Sequence, residues 1–434
     1  MVSLQLIITV LLFFIASLMI GLPVPLCIMF AAALFFPFLG RPFSLVIVAQ
    51  KIVATFDMNP LFAIFFFVAL GNILLKSKLS DIIIDFVDSI FGRVKGGLAV
   101  ITIVSEAFFG ALTGAVVSAI AAIGGITIPA MKKRGYDGPF ATAVATAAGI
   151  NGSMIPPSIN GLTYAIVNNL SVAYVFIATL VPGILYAICL SIAAVIISRK
   201  RHYKASEEHF SFNRTTKTFF RALPALIVPI SLIVLIYGGI ATPTESGALA
   251  VFVALLLGFV GYRTLNLESF KEAMVDTCIS TGTIMFLIAS SFILSYSFSM
   301  SGITFVITNF FWSVSESPQF LFLIVILILL ALGTILDAQA IIIIFSPVVA
   351  EIFAPLEVDP LHLAGVYIFA CLIGLIIPPV ASGLVVGCAV GNEKLLVVTK
   401  ELLPFLGVAV FSLVLITYIP EIILFLPRLL GYGG

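Results

Sequence analysis

The chain has 434 residues, of which 62% are hydrophobic and only 9% are charged, and its formal net charge is +1. Apolar runs of about 20 residues recur from end to end, which indicates an all-α polytopic membrane protein. The near-neutral balance does not suggest a nucleic-acid partner. Without a Walker loop, a pump with its own ATPase domain is excluded, although a separate ATPase subunit is not.

The N-terminal elements are predicted to be a membrane helix and, further on, a surface helix. Residues 1–21 lack the basic n-region and the cleavage site of a signal peptide, so they are predicted to form a retained first helix. Asp81, Asp85 and Asp88 recur at helical spacing. This pattern predicts an amphipathic helix over residues 79–93 that lies along the membrane surface.

An inner re-entrant hairpin is predicted over about residues 98–130. Basic residues flank the segment at positions 93–95 and 132–134, and Lys and Arg favour the cytoplasmic side. The intervening run of about 35 residues is barely long enough for two full spans. Because its middle, Gly110–Gly114, is rich in small residues, a helical hairpin that enters and leaves the same face fits better.

The stretch GINGSMIPPSING, residues 149–161, predicts a helix that breaks inside the membrane. The double proline removes backbone donors, so the carbonyls of Gly152 and Ser153 are expected to lose their helical partners. Such backbone persists at membrane depth only where it is buried in protein or lines a wet cavity. Free carbonyls there suit a hard monovalent cation such as sodium, and the half-helix beginning near Ser158 would direct its positive end at an anionic substrate.

The same signal recurs in the second half. CLIGLIIPPVASG, which begins at Cys371, aligns with the first stretch at an offset of 222, with both prolines and two glycines identical. The landmark matching the basic residues 132–134 is the acidic run 351–359, which is predicted to lie outside. The pattern therefore predicts two inverted-topology repeats, each with about five transmembrane helices, one re-entrant hairpin and a proline-broken helix. The first repeat, a cytoplasmic basic connector and the second repeat are expected at residues 1–198, 199–220 and 221–434.

The second repeat supplies an outer hairpin over about residues 319–353, with its tip at GTILD. At the second double proline, the carbonyls of Gly374 and Leu375 are expected to be free. Asp337 at the tip could orient the tip through backbone N–H groups or help to bind a cation. Intramembrane carboxylates are costly and tend to be functional. For Glu106, inside the inner hairpin, a proton carrier, a cavity-facing group and a polar interface contact are all open.

Uncharged polar residues mark the expected substrate site. No Lys or Arg lies deep in an apolar segment, so a substrate carboxylate would meet amides, hydroxyls and helix ends. The candidates for substrate binding are Asn151, Ser153, Ser158, Asn160 and Thr163.

Motifs in both halves resemble one known family. AFFGALTGAVVSAIAAIGGITIPAMKKRGYD followed by IPPS, and then IYGGIATPTESGALA, LDA, DPLHLAG and IGLIIPPV, resemble the DctM-like large membrane subunit of TRAP (tripartite ATP-independent periplasmic) transporters. The resemblance covers nearly the whole chain in order. It implies sodium-driven uptake of organic anions, commonly carboxylates or sialic acid, across the bacterial inner membrane by an elevator-type movement. It also implies two partners, a soluble periplasmic binding protein and a small membrane subunit of about four helices.

The resemblance further implies two sodium sites and no other metal or cofactor. The site on the inner-hairpin side would use Gly110, Thr113, Gly114, Gly152, Ile155 and Pro156. The site on the outer-hairpin side would use Gly333, Asp337, Gly374, Ile377 and Val380. The chain departs from the family at Thr113–Ala115, where many members have a serine-rich tip, and at Asn151 and Ser153, which are candidates for substrate choice.

Another function is open at this point. A binding-protein-independent carboxylate or proton symporter of similar inverted-hairpin architecture would show the same breaks and hairpins. Neighbouring genes for a small membrane protein and a secreted binding protein would favour the tripartite system. An enzyme is not expected, because an intramembrane enzyme would need paired catalytic groups, and Asp337 and Glu106 are isolated in the sequence.

Overall fold

The regular elements in the described part of the chain are helices. The computed structural model describes residues 4–38, 45–77, 79–92, 96–203, 212–379 and 381–433. A helix satisfies its backbone hydrogen bonds within one segment, as lipid requires. Among the described residues, seven helices are long and apolar enough to cross a membrane, or up to nine if each of two bent helix pairs forms one span. The predicted all-α polytopic class is confirmed.

The first half contains twelve α-helices within these ranges. They are α1 (Leu4–Met19), α2 (Val24–Phe38), α3 (Leu45–Phe56), α4 (Asn59–Lys76), α5 (Leu79–Phe91), α6 (Gly97–Thr113), α7 (Val116–Ala119), α8 (Gly125–Lys133), α9 (Gly138–Ala148), α10 (Asn151–Met154), α11 (Ile159–Val167) and α12 (Val172–Lys200). A π-helical turn, Ile120–Gly124, joins α7 to α8, so that Val116–Lys133 forms one helical segment.

The second half contains ten α-helices in the described part. They are α13 (Phe212–Tyr237), α14 (Pro243–Leu256), α15 (Leu267–Ser301), α16 (Ile303–Val314), α17 (Pro318–Gly333), α18 (Ala338–Phe353), α19 (Pro360–Gly374), α20 (Ser382–Gly391), α21 (Leu395–Tyr418) and α22 (Glu421–Leu429). A π-helical turn, Leu257–Gly261, extends α14, and a short 3₁₀ turn, Ala354–Leu356, follows α18.

The order of elements is the same in both halves. A short helix (α5 or α16) precedes a helix–turn–helix unit, then an interrupted helix, then a long apolar helix (α12 or α21). We name the units the first hairpin (97–133), the first broken helix (138–167), the second hairpin (318–353) and the second broken helix (360–391). The sidedness of the hairpins and the repeat boundaries remain predictions, and residues 93–95 and 204–211 lie outside the described ranges.

The two broken helices lie at the centre of the molecule. All residues of α11 are buried, and so is the run Leu361–Gly374 of α19. α9 packs against α21, α11 packs against α18, and α19 packs against α17. In a second group, α4 and α15 pack against each other; α4 also packs against α14, and α15 against α2. The first helix break is enclosed by protein, where unpaired backbone groups can persist in a membrane, whereas Pro379 of the second break is exposed.

Ion pairs join the ends of several elements. Lys132 Nζ pairs with Glu393 at 2.7 Å and also donates to the Gly391 carbonyl at 2.7 Å. Arg201 pairs with Glu401 at 2.7 Å. The basic clusters predicted to be cytoplasmic thus lie at the end of the molecule where the second broken helix ends and α21 begins.

α5 is the predicted amphipathic helix, and its acidic face contacts α13. Asp88 pairs with Arg214 at 2.9 Å, and Asp85 lies 3.6 Å from Arg221. Partial burial raises the pKa of the Asp85 carboxyl above its ordinary range, although Arg221 opposes that shift. The apolar face of α5 packs against α6, so this helix connects the first hairpin to α13.

Candidate substrate and ion site

The first hairpin crosses the first broken helix through two glycines. Gly110 of α6 and Gly152 of α10 lie so close that a Cβ atom built on Gly110 would overlap the Gly152 backbone. A Cβ atom on Gly152 would lie 2.9 Å from the Ala119 side chain and 3.0 Å from Gly110 Cα. Because glycine has no Cβ, the two backbones can touch here. This first glycine crossing coincides with the predicted inner sodium site.

The turn of the first hairpin is positioned by Ser153. Gly114 has a φ of 66°, in the left-handed region that glycine adopts without strain. Its N–H donates to the Gly110 carbonyl at 2.6 Å, and its carbonyl accepts from the Ser153 hydroxyl at 2.8 Å. The Thr113 hydroxyl is buried and has no hydrogen-bond partner in the described part of the chain. One buried side-chain oxygen is therefore available beside the turn.

The first helix break spans Ile155–Ser158. Within the described ranges, no hydrogen bond reaches the carbonyls of Gly152 and Ser153, in line with the expectation from the double proline. The Ser158 hydroxyl accepts from the Gly161 N–H at 3.2 Å and so caps α11. Two carbonyl oxygens are thus available next to the first glycine crossing.

The residues predicted for the inner sodium site are only partly brought together. Gly110, Gly114 and Gly152 meet at the crossing and the turn, with Thr113 adjacent. The side chains at positions 155–156 instead line an apolar groove of about 530 Å³ between α6, α12 and α13. Ile155 and Pro156 could therefore contribute to an ion site through their backbone carbonyls alone.

The second hairpin crosses the second broken helix in the same way. A Cβ atom on Gly333 would lie 2.6 Å from Gly374 Cα, and one on Gly374 would lie 2.7 Å from Gly333 Cα. Asp337 follows the tip and caps α18, since its Oδ1 accepts from the Gln339 N–H at 2.9 Å. This second glycine crossing shows that the matching glycines of the two halves perform the same packing role.

The second helix break differs from the sequence expectation. The Gly374 carbonyl accepts from the Ile377 N–H at 3.2 Å, and the Leu375 carbonyl accepts from the Gly383 N–H at 3.0 Å. The prediction that both carbonyls are free is wrong, because the chain tightens into a turn and then returns Gly383 to the break. A carbonyl oxygen has two lone pairs, so each can still accept a second partner. Val380 lies outside the described residues.

A cavity of about 190 Å³ lies where both hairpin tips and the start of α11 meet α4 and α15. Its polar side chains come from the two hairpins, the first broken helix and the two facing helices. They are Asn72, Thr113, Ser118, Asn160, Ser280, Asp337 and Gln339. No Lys, Arg or His is among the described residues that line it. The cavity is thus polar but contains one carboxylate and no cationic side chain.

Of the five residues predicted to bind substrate, Asn160 alone lines this cavity. The other four residues do not line it, and their assignment to the substrate site stays a prediction. Asn151 is fully buried with both amide atoms unpartnered among the described residues, and Ser153 and Ser158 hold the turn and the helix cap. The Thr163 hydroxyl lies 2.8 Å from the Ile159 carbonyl and 3.0 Å from the Gln339 side chain.

Sequence reasoning missed four polar lining residues. They are Asn72, Ser118, Ser280 and Gln339. Asn72 and Gln339 are amides inside otherwise apolar helices, and this signal could have identified them because amides are costly to bury without partners. Asn72 Nδ2 donates to Thr277 Oγ1 at 3.0 Å, which fixes the amide between α4 and α15.

Three helical segments begin at the wall of the cavity. The segment Val116–Lys133 begins without a side-chain cap, and its residues at positions 116–118 line the cavity. The first N–H groups of a helix have no intrahelical partner and carry a partial positive charge. α11 and α18 also begin at the cavity wall, with Asn160 and Gln339 in their first turns. Of these three starts, only the one at position 116 has no side-chain cap, because Ser158 caps α11 and Asp337 caps α18.

Glu106 lies one helical turn before Gly110 on α6. The residue is fully buried, and neither carboxylate oxygen has a hydrogen-bond partner among the residues that the structure describes. It does not line the cavity between the hairpin tips. Three roles for Glu106 were open in the sequence. The structure shows neither a hydrogen-bonded interface contact nor a group that faces this cavity.

The chain matches known transporter proteins over most of its length. The family model described as Tripartite ATP-independent periplasmic transporter, DctM component, matches residues 11–422. The C4-dicarboxylate TRAP transporter large permease protein DctM of Pseudomonas aeruginosa is 31% identical, over 91% of this chain and 92% of the relative. The sialic acid TRAP transporter large permease protein SiaM of Vibrio cholerae is 29% identical, over 95% of this chain and 96% of the relative.

The fold has a solved counterpart. The crystal structure of the Alcanivorax borkumensis YdaH transporter, which reveals an unusual topology, superposes with a TM-score of 0.60 and covers 86% of each chain at 14% identity. At that identity the likeness concerns the fold alone, whereas the family match concerns nearly the whole sequence. The chain therefore belongs to the DctM component family of TRAP transporters: it is a multi-pass permease of the bacterial inner membrane and not an enzyme.

Proposed function

We propose that this chain is the large permease of a sodium-coupled transporter that takes up a small organic anion, a carboxylate or sugar acid. TRAP permeases perform secondary transport of a solute with a binding protein. The observation that carries the finer proposal is the polar cavity between the two hairpin tips. It adjoins two glycine crossings and two helix breaks inside a chain that is 62% hydrophobic.

The proposed solute is an anion because of the helix starts at the cavity. The uncapped N–H groups at positions 116–118 offer partial positive charge, and the Asn160 amide adds donors. Broken helices that direct such ends at a substrate carboxylate are a recurring device of secondary transporters. The named solutes of the two relatives, a C4-dicarboxylate and sialic acid, are both organic anions.

We place one sodium ion at the first glycine crossing. The support is the pair of carbonyls at positions 152–153 without a hydrogen-bond partner among the described residues, together with the unpartnered Thr113 hydroxyl. Oxygen ligands of this kind suit a hard cation. The proposed ligand set is Gly110, Thr113, Gly114, Gly152, Ile155 and Pro156.

A second sodium ion is proposed at the second glycine crossing. Asp337 uses Oδ1 for its helix cap, which leaves Oδ2 for a cation, and the Gly374 carbonyl retains one lone pair. The proposed ligand set is Gly333, Asp337, Gly374, Ile377 and Val380.

The proposed movement is of the elevator type. The hairpins, the broken helices, α12 and α21 pack on one another and would move as one body against α2, α4, α14 and α15. The two inverted repeats and the connector, at the boundaries predicted from the sequence, are part of this proposal. So are its partners, a periplasmic binding protein and a small membrane subunit of about four helices.

Uptake into proteoliposomes tests the proposed function. The vesicles contain this chain and the small subunit, and the binding protein with its ligand is added outside. We expect uptake only with an inward sodium gradient and only with the binding protein present. Uptake that survives removal of both would refute the proposal, and uptake that needs sodium but not the binding protein would favour the independent symporter.

A further inference from the structure

The Gln339 side chain connects the second hairpin to the first broken helix. Its Nε2 donates to Asn160 Oδ1 at 2.7 Å, and its Oε1 accepts from the Thr163 hydroxyl at 3.0 Å. Its backbone N–H is fixed by Asp337 Oδ1 at 2.9 Å. The side-chain amide is therefore held by two hydrogen bonds at the wall of the cavity, and the backbone of the same residue is held by a third.

The same contacts leave hydrogen-bonding capacity that faces the cavity. A primary amide has two N–H donors and an oxygen with two lone pairs. Gln339 uses one donor and one lone pair, and in the described part of the chain Asn160 Nδ2 makes no hydrogen bond. Both residues line the cavity. Fixed neutral groups that both donate and accept are suited to hydroxyl groups, which do the same.

Apart from Asp337, the rest of the described lining is also neutral. Asn72, Ser118 and Ser280 add an amide and two hydroxyls, and Asp337 is the single carboxylate. The uncapped helix start at positions 116–118 offers one place for an anion, and the buried, unpartnered Thr113 hydroxyl lies at the same cavity. No cationic side chain among the described lining residues is present to receive a second substrate carboxylate, and the other two helix starts at the cavity are already capped by Ser158 and Asp337. An alkyl tail that lies along Gln339 and Asn160 would leave their free donors and acceptors without partners, which is costly in a buried site.

We propose that Gln339 is a specificity-determining residue, positioned by Asn160 and Thr163, and that the solute is a polyhydroxylated monocarboxylate. Its carboxylate lies at the tip of the first hairpin, and its hydroxyls lie along Gln339 and Asn160. The cavity, at about 190 Å³, is below the roughly 300–1,000 Å³ of pockets for drug-sized ligands, so the solute is small. This inference rests on the proposed function and narrows its substrate class.

Three six-carbon probes test the inference: gluconate with one carboxylate and five hydroxyls, adipate with two carboxylates, and hexanoate with one carboxylate and no hydroxyl. The melting temperature of the purified complex of this chain with the small subunit is measured in sodium buffer against the concentration of each probe, because a bound ligand raises it. We expect gluconate to stabilise the complex and the other two to have little effect. Equal responses to all three, including none, or a preference for adipate or hexanoate, would overturn the inference.

Two variants assign the effect to Gln339. Gln339→Met keeps the length of the side chain and is expected to weaken gluconate binding about tenfold, the size of a lost hydrogen bond in a buried site. Thr163→Val is expected to lower the ratio of gluconate to hexanoate affinity by a few fold, because it loosens the amide. Gln319 lies at the exposed start of the same hairpin, so the control Gln319→Met should change neither the affinity for gluconate nor the ratio of gluconate to hexanoate affinity. Unchanged gluconate affinity in Gln339→Met would refute the assignment.

The proposed function and the proposed substrate class can be refuted independently. Sodium dependence is measured by uptake of the solute that the binding protein delivers, whatever that solute is. Loss of hydroxyl selectivity with intact sodium dependence would refute the substrate class alone, and uptake without sodium dependence would refute the proposed function.

Discussion

Replacing Gly374 by alanine is expected to weaken sodium activation of transport. The added Cβ atom would lie 2.7 Å from Gly333 Cα and 3.3 Å from the Gly333 carbonyl carbon. Both are backbone atoms of a packed helix, so neither can swing aside as a flexible side chain would. α17 must therefore move away from α19 at the second glycine crossing.

The size of the effect follows from the required movement. Carbon atoms in contact lie about 3.5–4.0 Å apart, so the two backbones must separate by roughly 1 Å. Overpacking of this kind costs about 1–3 kcal/mol. If the ion site forms only when the two backbones are in close contact, sodium binding must restore that contact, and the free energy of binding falls by the same amount. We expect the half-saturating sodium concentration to rise by about 5- to 150-fold.

The assay is initial uptake into proteoliposomes as a function of sodium concentration. Gly407→Ala is the matched control, since a Cβ atom there would meet nothing within 4 Å. The amount of folded protein is measured for each variant by size-exclusion chromatography. An unchanged sodium activation curve in well-folded Gly374→Ala protein would refute the idea that this crossing shapes an ion site.

Three further substitutions test other contacts. Ser153→Ala leaves the buried Gly114 carbonyl without its 2.8 Å hydrogen bond. An unsatisfied buried carbonyl costs about 1–3 kcal/mol, so we expect this substitution to lower the sodium affinity about tenfold in the uptake assay. A normal sodium activation curve would contradict the role of the turn. Glu106→Met removes a buried carboxyl without a partner in the described chain, so it should raise the melting temperature by a few degrees in scanning fluorimetry, whereas a fall would mean that the carboxyl is stabilised. Thr242→Ala breaks the capping box of α14; it should cost about 1 kcal/mol of stability and leave the sodium curve unchanged, and a shifted curve would show that the cap affects ion binding.

Local chemistry made the helix breaks and the hairpin tips predictable. Proline lacks an N–H wherever it lies, and small residues with flanking charges indicate a turn whatever packs around it. The bond from Gly383 to the Leu375 carbonyl could not be predicted, because it depends on the path of the chain after the break. Asn72 and Ser280 were missed for a related reason: they lie on α4 and α15, and sequence spacing does not show which helices face a hairpin tip.

The turn at positions 113–114 is shared by the two proposed sites, because it forms part of the first glycine crossing and also lines the cavity. An ion that orders this turn removes part of the entropy loss that a solute would otherwise incur on binding beside it. Such linkage is reciprocal: the solute must raise the affinity for the ion by the same factor as the ion raises the affinity for the solute. With sodium bound as proposed, the shared turn disfavours the singly loaded states, and so it limits both futile ion leak and solute movement without the ion.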